Sequence, residues 1–183
     1  MKNLLKSGPA RPALAIGPHL IPQYDDQWLR TALARSQMEH SYGTLDLTDK
    51  LVQGVFLYLE EQPPHVPLQV QQVYQRLRGV LRHLGQDLAA ETLQPVAPPV
   101  GLSLLTLAKK AGAHYELLFF QMLERELILL IENGAEELQL FALEGACAHL
   151  SSTAKGRNRL ADEIQATLAH VLARKPLYEP IPF

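Results

Sequence analysis

Arginines and lysines are the side chains of this sequence whose spacing best suits a chemical task, the binding of an anion. Arg78 and Arg82 lie four residues apart in a segment with helical periodicity, so they share one face of a helix. Such a face can bind a phosphate or an acidic protein. A plain solvent-exposed face opposite Leu77 and Leu81 explains the same pattern, and we favour this second interpretation.

A second basic group lies in the polar run from Ser151 to Arg159. Lys155 and Arg157 flank Gly156 in front of a predicted helix, and the free N–H groups at a helix N-terminus attract anions. The run lacks the glycine and lysine spacing of a P-loop. We therefore favour an ordinary solvent-exposed loop over a phosphate site.

Nucleophilic and metal-binding patterns are weak in this sequence. Cys147 and His149 would point roughly 200° apart on a helix and cannot form a nucleophile–base pair there, although on a strand they would share a face. Cys147 is the only cysteine, which excludes an internal disulfide and a cysteine-rich zinc site. The seven histidines form no metal-binding spacing. We predict a buried structural cysteine, no metal site and no catalytic residue.

Charge and hydropathy restrict the class of partner. The 183 residues carry a formal net charge of −2, which provides no global attraction to nucleic acid or to an anionic membrane. No apolar run approaches the roughly 20 residues that span a bilayer. Prolines at positions 9, 12 and 18 interrupt the N-terminal segment and argue against a signal peptide. We expect a cytoplasmic protein with neither nucleic-acid nor membrane partners.

The first elements expected to position these side chains are two short strands and a helix. The strands cover residues 13–16 and 19–21 around Gly17-Pro18. The helix begins at Asp25 or Asp26, because either side chain is a good N-cap. Its apolar positions keep helical spacing. They are Trp28, Leu29, Ala32 and Leu33.

Two longer helices are predicted next. The second helix is capped by Asp46 and stops before Pro63-Pro64, and the third runs from Pro67 to a C-terminal cap at Gly85. A short helix capped by Asp87 closes the region. A broad apolar face of the second helix contains Leu47, Leu51, Val55, Leu57, Tyr58 and Leu59, and the predicted inner side of the third contains Leu68, Val70, Val73, Leu77, Val80, Leu81 and Leu84.

The proline-rich segment after residue 94 is the clearest boundary in the chain. Three prolines within five residues favour an extended, semi-rigid linker. We place this linker at residues 95–100. It separates an N-terminal domain, residues 1–94, from a C-terminal domain, residues 101–183.

The second half opens with a predicted helix over residues 102–110, followed by a segment with two interpretations. Residues 115–143 form either one helix ending at Gly134 and another from Ala135 to about Leu150, or a hairpin of strands 127–132 and 137–143 around Asn133-Gly134. Abundant Glu, Leu, Met and Gln favour the helices. The apolar stretch 117–131 suits a core element, and an oligomer interface is the alternative.

The last predicted helix begins at about Arg159, with Asn158 as its cap, and ends at Arg174. The tail after it, residues 176–183, is rich in proline and apolar side chains. We expect the tail to dock on a surface of the protein.

The order of features from Ile21 to Leu93 resembles the ATP-cone, the small nucleotide-binding regulatory domain of many ribonucleotide reductases. In that family an aromatic residue precedes a capped helix, as Tyr24-Asp25-Asp26 does here. A second amphipathic helix follows, comparable to residues 47–60. A third begins after a short β-like or proline-containing step, comparable to Val66-Pro67, and ends in Leu84-Gly85 before a short alanine-bearing helix.

The resemblance implies a regulatory domain whose ligand is ATP or dATP. The family carries a basic pair in its N-terminal turn, whereas residues 11–18 of this chain contain no such pair. The family usually also has a lysine early in its first helix, and the comparable stretch here contains Gln27 and then Arg30. A triphosphate needs several converging donors. Retention of the fold is therefore the stronger expectation, and retention of the ligand the weaker one.

These observations lead to one prediction of fold and three hypotheses of function. We expect a mainly α protein, with an ATP-cone-like helical unit and a small N-terminal β arm, followed by a C-terminal helical unit. The first hypothesis is a non-catalytic adaptor that binds another protein or a second copy of itself. The second is an ATP- or dATP-responsive regulator. The third is an enzyme with a dispersed site in the C-terminal half. The candidate anion-binding residues are Arg30, Arg78, Arg82, Lys155 and Arg157.

Overall fold

The computed structural model describes residues 11–36 and 44–173, and this part of the chain is mainly helical, as predicted. It forms two compact units. The first ends at Val100 and also includes Asn133–Glu137, and the second consists of Gly101–Glu132 and the residues from Leu138 onward. No helix within the described ranges is long and apolar enough to cross a membrane. The expected docking of the tail, residues 176–183, lies outside the described residues.

The first unit combines a three-stranded sheet with four helices. Strand β1 pairs antiparallel with β2, aligning Leu14 with Ile21, and parallel with β3, aligning Leu14 with Leu68. The strand order is β2-β1-β3, and the predicted pair of strands around Gly17-Pro18 is confirmed. The elements are β1 (Leu14–Ile16), β2 (His19–Ile21), α1 (Gln27–Arg35), α2 (Thr44–Glu60), β3 (Leu68–Gln69), α3 (Val70–His83) and α4 (Asp87–Thr92).

Helix α1 follows the sequence pattern closely. The Asp25 Oδ1 atom accepts a hydrogen bond from the backbone N–H of Gln27 at 3.0 Å, which satisfies one of the free donors at the helix start. The four apolar positions predicted from the sequence are all buried. Trp28 donates from Nε1 to the Asp25 carbonyl at 2.8 Å and packs edge-on against Tyr74, with ring centroids 5.8 Å apart.

Helix α3 begins at Val70, so its predicted start at Pro67 is wrong. The backbone N–H of Leu68 donates to the Ala13 carbonyl at 3.0 Å, and this places residues 68–69 in the sheet. Gln72 then accepts a hydrogen bond from the backbone N–H of Gln69 at 3.2 Å. Because residues 68–69 pair with β1, the helix begins later in the chain than its local sequence preferences predict.

Tyr74 connects α3 to the proline-rich segment. Its buried hydroxyl donates to the Val96 carbonyl at 2.8 Å and accepts from the Val96 N–H at 3.1 Å. Desolvation raises the pKa of Tyr74 well above its ordinary value. Ala97 donates from its backbone N–H to the Gly134 carbonyl at 2.7 Å. The segment belongs to the first unit.

The second unit contains four helices and a two-stranded sheet in which β4 pairs with β5. The helices α5 to α8 surround a core that includes Phe119, Leu123, Leu127 and Leu160. The expected core role of residues 117–131 is therefore confirmed for the inner face of α6. The elements are β4 (Val100–Ser103), α5 (Leu104–Ala111), α6 (Glu116–Glu132), β5 (Leu138–Phe141), α7 (Leu143–Leu150) and α8 (Ala154–Ala173).

The favoured interpretation of residues 115–143 is half right. Helix α6 ends before Gly134, where φ is +90°, as the helical interpretation required. The helix predicted from Ala135 to Leu150 is wrong in its first half, because residues 138–141 form strand β5 and pair with β4, and it is confirmed from Leu143 to Leu150. Within β5, Leu138 and Leu140 pack against the core while Gln139 and Phe141 are exposed. The period-two alternation is visible in the sequence, but four residues are too few to outweigh helix propensity.

Two helix starts in the second unit also differ from the predictions. Leu102 belongs to β4, and α5 begins after Ser103, whose Oγ accepts from the Thr106 N–H at 3.2 Å. Helix α8 begins at Ala154 and not near Arg159. The Thr153 hydroxyl accepts from the Gly156 N–H at 3.1 Å and takes the capping role expected of Asn158.

Candidate binding sites of the first unit

A cleft between α1 and α2 contains one of the predicted anion-binding residues, Arg30. Its volume is about 390 Å³, which lies within the range of small-molecule sites. Helix α1 contributes Arg30 and α2 contributes the facing wall. The lining residues are Arg11, Asp25, Asp26, Arg30, Asp49, Val52, Gln53 and Phe56.

Two carboxylates that line this cleft hold Arg30. Its Nε atom donates to Asp26 Oδ2 at 2.7 Å, and its Nη1 atom donates to Asp49 Oδ1 at 2.6 Å. These hydrogen bonds, first that to Asp49 and then that to Asp26, raise the pKa of Arg30. The guanidinium group is therefore already neutralised by acidic side chains of the same unit.

Arg11 stands at the edge of the same cleft. Its guanidinium carbon lies 4.6 Å from the centroid of the Phe56 ring, and its Nη2 atom donates to Glu60 Oε1 at 2.7 Å. Tyr24 packs against Phe56 at 6.2 Å and donates its hydroxyl to the Pro12 carbonyl at 2.8 Å. Burial raises the pKa of Tyr24, and the nearby Arg11 opposes this shift.

The other predicted residues do not join Arg30 in this cleft. Arg78 donates from Nη2 to the Leu93 carbonyl at 2.7 Å, so it completes the end of α4 rather than facing a ligand. Arg82 is exposed in the last turn of α3. Neither residue lines the cleft. Arg82 therefore lies on the exposed surface, whereas Arg78 is half-buried.

Lys155 and Arg157 belong to the second unit and lie in the first turn of α8, not in a loop. Lys155 is exposed, and Arg157 donates from Nη1 to the Ser152 carbonyl at 3.5 Å. The Gly156 N–H is satisfied by Thr153. A phosphate at this helix start would need free backbone N–H groups, and the N–H of Gly156 is already bound by the Thr153 hydroxyl.

A second concave surface of the first unit is an apolar groove between α2 and α3, with a volume of about 220 Å³. Hereafter this surface is the α2–α3 groove. Arg76 lies over Tyr58, with its guanidinium carbon 4.2 Å from the centroid of the ring. The lining residues are Lys50, Leu51, Gly54, Val55, Tyr58, Val73, Arg76, Leu77 and Val80.

Three leucine or valine positions of the predicted apolar faces of α2 and α3 are substantially exposed, and one of them, Val80, lines this groove. The side chains of Leu57, Val80 and Leu84 are 55%, 47% and 51% exposed. The apolar faces of α2 and α3 are wider than the core requires. The sequence shows this excess of apolar residues, but it does not show which of them the neighbouring elements leave exposed.

The cleft also contains residues that the sequence analysis missed. Asp49 and Phe56 come from α2 and meet Arg30 only through the packing of α2 on α1. The pair Asp26 and Arg30 has the four-residue spacing of a helical ion pair, which is a signal that could have been found. No comparable signal connects Arg30 to Asp49 across 19 positions.

The second unit contains the single cysteine. Cys147 lies in the core, and burial raises the pKa of its thiol, so the predicted structural role is supported. Within the described ranges, no group of three or more His, Cys, Asp or Glu side chains could hold a metal ion. Comparisons of the chain with known protein families, curated proteins and solved structures found no match.

Proposed function

We propose that this chain is a non-catalytic protein-interaction protein built on an ATP-cone-like helical unit. The observation that carries the proposal is the pairing of an open apolar groove with a neighbouring cleft whose arginines are already neutralised. The α2–α3 groove offers an apolar wall to a partner. The cleft beside α1 offers no uncompensated positive charge to a polyanion.

The relationship to the ATP-cone is supported by the order of elements. A strand pair, two helices, a short third strand, a helix ending at Leu84-Gly85 and a short helix follow one another over residues 14–92. The helical counterparts named in the resemblance fall in α2, α3 and α4, and the step at Val66-Pro67 lies directly before β3. The third strand pairs with β1, which accounts for the β-like step before α3.

The case against a triphosphate ligand rests on the charges of the cleft. Aspartates outnumber arginines among its lining residues, and Arg11 is also paired with Glu60. A triphosphate would have to displace the carboxylates from Arg30 and then lie beside them. Anions are bound where cationic donors converge without such competition.

A nucleotide-responsive regulator is the second candidate function, and one observation favours it. Arg11 and Phe56 together offer a cation and an aromatic face at a cleft of about 390 Å³. To stack on this ring, a base would have to take the place of the guanidinium group, which would then be available to a phosphate. The absence of a basic pair in the turn after β1 weakens this candidate.

A nucleotide titration separates the two functions. The fluorescence of Trp28, the only tryptophan, reports unfolding of the first unit. We expect millimolar ATP or dATP, with and without magnesium, to leave the melting temperature unchanged. A concentration-dependent rise that disappears in Arg30→Gln but persists in Arg82→Gln would establish the nucleotide function instead.

Site-specific photo-cross-linking in cells tests the interaction function. A benzoylphenylalanine is placed at Val80, which lines the groove, and in a matched variant at Gln75, which is exposed on the same helix. We expect discrete protein adducts at position 80 that are absent at position 75. Equal labelling at both positions, or none at position 80, would count against a protein-interaction role for this face.

A further inference from the structure

We draw no further inference here: the strongest candidate, the apolar groove between α2 and α3, belongs to the surface on which the proposed function already rests, and nothing in the structure shows what covers it.

Discussion

Removal of the Tyr74 hydroxyl should destabilise the first unit by an amount that can be worked out from its contacts. In Tyr74→Phe the ring, its burial and its packing against Trp28 are retained, while one oxygen atom is lost. That oxygen both donates to the Val96 carbonyl and accepts from the Val96 N–H. The substitution therefore leaves two backbone groups of one buried residue without a partner.

The expected loss follows from the cost of unsatisfied buried polar groups. Each such group costs about 1–3 kcal/mol. For the donor and the acceptor of Val96 together, we expect the free energy of unfolding to fall by about 2–6 kcal/mol. With a urea m-value of about 2 kcal/mol/M, the midpoint of unfolding should move down by roughly 1–3 M.

Trp28 makes the measurement specific to the first unit. It is the only tryptophan, it is buried, and its ring centroid lies 5.8 Å from that of Tyr74. Its emission should shift to longer wavelength when the unit unfolds in urea. The full chain can be used without separating the units.

Two further tyrosines supply graded controls. The Tyr24 hydroxyl makes one hydrogen bond, to the Pro12 carbonyl, so Tyr24→Phe should cost about 1 kcal/mol. The Tyr58 hydroxyl makes none within the described residues, so Tyr58→Phe should cost less than about 0.5 kcal/mol. Equal losses for all three substitutions, or a loss below about 0.5 kcal/mol for Tyr74→Phe, would refute the reasoning.

Three other perturbations follow from the structure. Burial raises the pKa of Tyr74 in the folded state. The stability that the protonated hydroxyl provides should therefore be fully present below the ordinary tyrosine pKa of about 10 and should fall as the pH rises above it. Urea midpoints measured across this range should fall less in Tyr74→Phe. Gly134→Ala should lower the free energy of unfolding more than Gly85→Ala in the same urea assay. Both glycines have positive φ, but a Cβ at Gly134 would lie 2.3 Å from the Pro95 carbonyl oxygen. A Cβ at Gly85 meets open space, so Gly85→Ala should cost only about 1–2 kcal/mol. Phe119→Ala, in the core of the second unit, should lower stability by about 3–5 kcal/mol in thermal melts followed by far-ultraviolet circular dichroism, and unchanged melting would contradict that core assignment.

Local patterns in the sequence were sufficient to predict several elements. The spacing of Trp28, Leu29, Ala32 and Leu33 predicted both the existence of α1 and its buried face, because helical periodicity places these side chains on one side whatever they pack against. Gly85 has a φ of +72°, a conformation that glycine adopts without strain, and it marks the end of α3 as predicted. The predicted burial of Cys147 is also confirmed.

The candidate sites depended on contacts between residues far apart in the chain. The carboxylate of Asp49 reaches Arg30 only because α2 packs beside α1, and this contact turned a predicted anion-binding residue into a neutralised one. Val80 was assigned to the core because its spacing fits the apolar face of α3. The helix it faces leaves it half-exposed in a groove.

Strand β5 shows the same division between local and distant information. Residues 138–141 have side chains with good helix propensity, and hydrogen bonding to β4, nearly 40 positions earlier, makes them a strand. What the sequence by itself determined was therefore where helical faces lie and where glycine or proline ends them. Only the tertiary structure decided which of those faces were covered, because a side chain's burial and the partner of its charge depend on the elements that pack against it.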